Sequence, residues 1–249
     1  MKLTETISSR RSLLQLAGGT ALGVLGSQLL LGCGGSGTDT NYATALDQSI
    51  LGAAKIAEAL AVTMYTGIIN DAPFFATLSA ANQGYIRAAR DEEKFHYDLL
   101  RNATGGADAQ LNYYFPTNMF SNIGVTINTL TTLEDAFIAA YLVGVKDLST
   151  PDLRVLAAKI MGIESDHRTL ARLIGDDLGL TTITGLSGSP EPVDPPNNNV
   201  YERTYGLTTI SQVVSALGPF LALGSNTVLK TFNPAYVPSN TDLYPNPAN

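Results

Sequence analysis

Glu93-Lys94-Phe95-His96 and Glu164-Ser165-Asp166-His167 hold the only two histidines of this chain, and each histidine stands three residues after a glutamate. With eight Glu in 249 residues, a Glu three places before a given residue is expected about 3% of the time (8/249), and both by accident about once in a thousand. On an α-helix a step of three turns about 300° and rises ~4.5 Å, so carboxylate and imidazole share one face. Such a pair can chelate a divalent metal, and two pairs suggest two metals held between helices.

Two further glutamates complete the set. At helical spacing, Glu58 stacks with Leu51, Ala54, Ala61, Val62 and Tyr65, and Glu134 with Ile127, Leu130, Phe137, Ile138 and Tyr141. Glu93 and His96 lie in line with Ile86, Ala89 and Leu100; Glu164 and His167 lie with Ala157, Ile160, Ala171 and Ile174. Each acid therefore falls inside an apolar stripe, the side that faces a core. Four carboxylates directed at one core repel each other and cost several kcal/mol each to desolvate unless compensated. The sequence shows no matching inward set of Lys or Arg, so a pair of divalent cations is the expected compensation.

The two halves of the chain echo each other. Tyr65 follows Glu58 by seven residues, and Tyr141 follows Glu134 by seven. A Glu-x-x-His unit then comes 35 residues after Glu58 and 30 after Glu134. Seven residues return to the same helix face about 10 Å further along, so neither tyrosine can serve the glutamate of its own helix. Each can hydrogen-bond a ligand carboxylate on a facing helix and so hold it in place; ordinary core packing is the competing reading, and a redox-active role is a third. Glu92 and Asp166 flank the motifs off the inward face and are expected to be solvated. Arg90 and Arg168 are expected to pair with surface acids, and Met64, Met119 and Met161 to fill core.

Four helices carry these residues. The first is expected from about Tyr42 to Ile69, ahead of Asn70-Asp71-Ala72-Pro73. The second runs from Ser79, an N-cap, to about Gly105. The third spans about Thr129 to Asp147, and the fourth opens at Ser149-Thr150-Pro151, a cap followed by an N1 proline, and ends near Gly179. The first and last connections are short, as antiparallel neighbours need. The middle one, Gly106 to Asn128, is long and contains Tyr113-Tyr114-Phe115-Pro116. An all-α four-helix bundle with one long central crossover is the ferritin-like arrangement. After Gly179 comes a Pro/Asn-rich stretch, then an amphipathic segment from about Thr208 to Leu223, expected to pack on the bundle as a fifth helix. The tail beyond Asn226, with prolines at 234, 238, 245 and 247, reads as loop.

The order Glu, Glu-x-x-His, Glu, Glu-x-x-His resembles the ferritin-like di-metal carboxylate proteins, a group that includes bacterioferritin and rubrerythrin. Within that group the chain looks most like the exported ferritin-like proteins related to plant desiccation-associated proteins. The resemblance covers residues 42–180 and, more weakly, Tyr201-Glu202-Arg203 through Leu223. It implies that Glu93 and Glu164 bridge two metals, that Glu58 and Glu134 are terminal carboxylates, and that His96 and His167 each hold one metal through a ring nitrogen. The metals implied are two irons, with manganese or a mixed pair as alternatives, reacting with O2 or peroxide. A non-catalytic stress or desiccation protein with a structural metal site is the alternative function, and metal storage or delivery a third. Unlike rubrerythrin, the chain has no Cys pairs for a fused electron donor. Unlike cage ferritins, it has an N-terminal export signal and about 70 residues after the fourth helix, so an oligomer is compatible with it but a storage cage is not expected.

The N-terminus reads as an address. Ser9-Arg10-Arg11-Ser12-Leu13-Leu14 resembles a twin-arginine export signal, and Leu29-Leu30-Leu31-Gly32-Cys33 resembles a lipobox in which Cys33 carries the lipid. Cys33 is the only cysteine, so no intramolecular disulfide can form. An uncleaved anchor over Ser12–Gly32 is the alternative. Residues 1–32 are then a signal, 33–41 a flexible tether, 42–180 the bundle and 181–249 an extension. Lipid attachment, an anchor or other processing each place the domain outside the cytoplasm, in the periplasm or at the cell surface, on a membrane through its lipid or anchor or released from it. The net charge is −7; residues 1–32 carry three basic groups against one acid, leaving −9 (12 basic, 21 acidic) on the rest. An acidic body with no basic run argues against nucleic acid as a partner.

Overall fold

The computed structural model describes residues 44–194 and 206–238. Four long helices are each begun by a side-chain oxygen that takes up a free backbone N–H. Thr44 accepts from Asp47 N (3.1 Å) ahead of α1 (Ala45–Asp71), while Asp47 accepts from Thr44 N at 2.7 Å, a capping box. Ser79 caps α2 (Ala80–Ala103), Asn122 caps α3 (Ile123–Asp147), and Thr150 with Pro151 at the first helical position starts α4 (Pro151–Asp177). α1 and α2 pack as one antiparallel hairpin, α3 and α4 as another. The ferritin-like bundle expected from the sequence is the fold observed, with its extra helix α5 (Ile210–Leu221), capped by Thr209, lying against α3 and α1.

Two expectations are corrected. The third helix starts at Ile123 rather than Thr129, because the Asn122 side chain accepts from Val125 N (3.1 Å) and Thr126 Oγ1 bonds the carbonyls of Met119 and Asn122. The β-branched run Ile123, Val125, Thr126, Ile127 has weak helix propensity, but core burial of Ile127 and Thr126 outweighs it. The tail after Asn226 is not all loop. Strand β4 (Thr227–Thr231) pairs antiparallel with β1 (Asn112–Pro116) inside the long crossover, in the register Asn112↔Thr231 to Pro116↔Thr227. On β1, Tyr113 and Phe115 point inward and are fully buried, and Tyr113 donates to the Ile56 carbonyl of α1 at 3.2 Å. The crossover is thereby fastened across the bundle instead of hanging free. A second small ladder joins β2 (Thr182–Ile183) to β3 (Glu191–Pro192).

The apolar core is divided in two. One cluster, with Ile50, Leu51, Ala54, Leu100, Tyr141, Ala157 and Ile160, fills the end near the α3–α4 turn. The larger one, with Tyr65, Ala89, Leu130 and Ala171, fills the rest. On every helix the glutamates of interest fall between members of the two clusters. A polar layer thus crosses the middle of the bundle.

Candidate metal centre

α1 supplies Glu58, α2 Glu93 and His96, α3 Glu134, and α4 Glu164 and His167; all six are at most 3% exposed. The 3.6-residue repeat that turns the apolar stripes inward turns these side chains inward with them. Their donor atoms fall into two groups, each within 4.8 Å: Glu58, Glu93, His96 and Glu164 in one, Glu93, Glu134, Glu164 and His167 in the other. Glu93 and Glu164 belong to both. Glu93 turns Oε2 towards His96 Nδ1 (3.5 Å) and Oε1 towards His167 Nδ1 (3.0 Å). Glu164 does the same, with Oε1 3.3 Å from His96 Nδ1 and Oε2 3.6 Å from His167 Nδ1. Glu58 Oε2 reaches only His96, at 3.5 Å.

These groups fit a pair of cations by their own chemistry. Glu58 Oε2, Glu134 Oε2, Glu93 Oε2, both oxygens of Glu164 and His96 Nδ1 are buried with no hydrogen-bond partner. Buried polar atoms are almost always satisfied, so six orphans converging on two points mark where positive charge belongs. Among the described residues no Lys or Arg forms an ion pair with any of the four glutamates. The buried cations are engaged elsewhere: Lys55 donates to the Ala107 carbonyl (3.0 Å), Lys94 to Asp98 (2.5 Å), and Arg172 to the carbonyls of Val193 and Asp194 (both 3.0 Å). Carboxylate and imidazole donors suit a borderline divalent transition metal.

A family model for the ferritin-like domain matches residues 46–175. The chain belongs to the ferritin-like domain family. No curated protein and no solved structure matches it.

In this ferritin-like site each tyrosine crosses the bundle. Tyr65 of α1 donates to Glu134 Oε1 of α3 at 2.6 Å, and Tyr141 of α3 donates to Glu58 Oε1 of α1. Glu58 and Glu134 therefore each have one oxygen fixed by a phenol and one without a hydrogen-bond partner. Without a cation the layer is electrostatically strained. Burial pushes the Glu58 and Glu134 carboxyls well above the ordinary value of 4.5, and the neighbouring Glu164 and Glu93 charges push them further. Burial works against charging His96 and His167, yet the carboxylates around them raise both imidazoles well above 6.5. Glu93 goes the other way: burial raises it, but the His167 charge and the hydrogen bonds around it bring it far below the carboxylate range.

Three flanking residues differ from the sequence reading. Glu92, expected in solvent, is only 22% exposed at its side chain and lies 2.8 Å from His167 Nε2. The helical wheel of α2 turns Glu92 off the inward face, but the imidazole of α4 reaches across to it. Arg168 is not a surface pair: it is 3% exposed and bonds Asp135, itself buried, which also accepts from Leu186 N at 3.3 Å. Arg90 pairs at 3.1 Å with Asp91, a buried acid, and lies over the Tyr236 ring. Asp166 is exposed as expected. Cys33, Arg10, Arg11 and Tyr201-Glu202-Arg203 lie outside the described residues.

Proposed function

We propose that this ferritin-like domain binds two transition-metal ions, Glu58, Glu93, His96 and Glu164 holding one and Glu93, Glu134, Glu164 and His167 the other. The single observation that carries the reading is that Glu93 and Glu164 each offer one oxygen to each histidine side. A pair of irons or manganese ions supplies electrons for reducing O2 or peroxide. The chain's own part is to hold the donors in place and dry. Tyr65 and Tyr141 fix the terminal carboxylates, Glu92 orients His167 through its outer ring nitrogen, and the two apolar clusters keep water from the layer.

On this reading the protein is an oxidoreductase of the cell envelope that oxidises Fe(II) with O2 or peroxide. The sequence supports the location: the twin-arginine and lipobox motifs direct it outwards and tether it through Cys33. Among the described residues no helix is long and apolar enough to cross a membrane. The likeness to desiccation-related proteins rests on that exported setting and on the C-terminal segment. A structural role for the metals is favoured by a separate observation: the candidate donors come from both hairpins, so bound cations would tie α1–α2 to α3–α4. Stopped-flow oxidation of Fe(II) by the purified protein separates the two. Oxidation with turnover, faster than that of free Fe(II) in the same buffer, supports the enzyme. A rate equal to that of free Fe(II) leaves the structural role.

A further inference from the structure

The polar layer has an apolar chamber stacked directly on one side of it. A cavity of about 20 Å3 is lined by residues of all four bundle helices, among them Ala54, Leu100, Tyr141, Ala157 and Ile160. Ala54 and Ile160 stand four residues before Glu58 and Glu164, and Leu100 stands four after His96. One helical turn separates the chamber wall from the donors on three helices at once, roughly 6 Å along the axis. On the fourth, Tyr141 closes the gap: its ring lines the chamber and its hydroxyl donates to Glu58. At the far side the wall includes half-buried Ile210, the first residue of α5.

The lining decides what such a chamber can take. No charged side chain contributes to it, and its one side-chain polar group, the Tyr141 hydroxyl, already gives its proton to Glu58. A buried water needs two to four polar partners and roughly 10–15 Å3. The room suffices here but the partners are missing. A metal cation or an anion would be stripped of solvent with nothing in return. Hydrogen peroxide, with two donors and four lone pairs, fares little better. The chamber suits a small, neutral, apolar molecule.

The internal repeat of the chain places a counterpart on the opposite side of the layer. There Leu130, Ala171, Ala89, Ile86 and Tyr65 take the places of Ala54, Leu100, Ile160, Ala157 and Tyr141. That second hollow is about 10 Å3 and has the His167 ring in its wall. Ala54 in place of Leu130 makes the first chamber roomier on its α1 wall. Gly144 lines it as well, and a Cβ there would press to 3.3 Å from the Ala157 Cβ.

We propose that the chamber bounded by Ala54, Leu100, Tyr141, Ala157 and Ile160 is a dioxygen-binding site that feeds the Glu58–His96 side of the metal layer. The proposal rests on the redox reading of that layer and makes O2, rather than peroxide, the oxidant that this side admits. Xenon, similar in its lack of polarity, is the probe. In crystals of the full chain under xenon pressure, one xenon is expected between Tyr141, Ala157 and Ile160, whether or not metal is loaded. Ala157→Leu fills the chamber from a position two turns from Glu164. It should keep both metals and lose the xenon. It should also slow oxidation of bound Fe(II) by O2 while leaving oxidation by hydrogen peroxide unchanged. Should Ala157→Leu not fold, xenon pressure itself should slow the O2 reaction of the unaltered protein and spare the peroxide reaction. The absence of xenon from the chamber overturns the proposal and leaves the redox reading standing. So does an O2 rate in Ala157→Leu equal to that of the unaltered chain, or an equal slowing with both oxidants. A protein that binds two metals and xenon but does not react with O2 overturns the proposal together with the redox reading.

Discussion

Glu164→Gln should remove most of the stability that metal adds to the protein. Glu164 is fully buried, both its oxygens lack a hydrogen-bond partner, and its donor atoms lie within 4.8 Å of those of Glu58 on one side and Glu134 on the other. Cations compensate this crowded set of acceptors, and Glu164 is one of the two residues that both groups share. Ligand at 100 times its Kd stabilises by about 2.7 kcal/mol per site, so two sites add roughly 5 kcal/mol, or about 10–20 °C. Because Glu164 serves both groups, the amide variant should lose most of that shift, whereas Glu58→Gln should lose about half. Thermal melts followed by circular dichroism, with Mn(II) or with a chelator, read the shift. A Glu164→Gln protein that gains the full metal-induced shift would refute the reasoning.

The remaining predictions concern the residues around the donors, the pH response and the location. Tyr65→Phe and Glu92→Ala should each weaken metal binding by about 10–100-fold, because each removes a hydrogen bond that orients a donor; competition titration with a chromophoric chelator measures this. The metal-free protein should lose stability as pH rises from about 5 to 8. Glu58 and Glu134, raised above 4.5, bind more protons folded than unfolded, and the raised histidines give stability that is present below 6.5 and lost above. Glu93, depressed, opposes this only below about 4.5. With metal present the melting temperature should instead rise over the same range, since metal and protons compete for the same donors. Cys33→Ser should abolish lipid labelling in cells, and a variant that still incorporates labelled fatty acid would remove the lipoprotein reading.

The bundle was legible because its periodicity is strong and its helix starts carry conventional caps: Ser79, Thr150 and Pro151 mark beginnings that the structure keeps. Four of the six candidate donors were legible because a Glu-x-x-His step maps to one helix face whatever surrounds it, and Glu58 and Glu134 because each falls inside an apolar stripe. Less legible was anything decided by a partner element. The start of α3 hid in a β-branched run whose helical state depends on burial of Ile127. Strand β4 hid in a proline-containing tail because its reason for being a strand, β1, lies 115 residues earlier in the Asn112↔Thr231 to Pro116↔Thr227 register. Glu92 was misread for the same cause: a helical wheel shows where Glu92 leaves its own helix, not that the His167 imidazole arrives from another. The Glu92-Glu93 doublet was the one available signal, since an acid beside a ligand can reach the ring that the ligand faces. Arg168 gave no such hint, because its partner Asp135 is also off-motif.

The central claim is that one buried layer holds two metals through two shared carboxylates, and metal analysis of the protein purified from its native host tests it most directly. The account predicts about two transition-metal ions per chain, about one in Glu58→Ala, and none in His96→Ala, His167→Ala. A full load of two metals in that double variant would contradict it, because no other histidine exists in the chain to take their place.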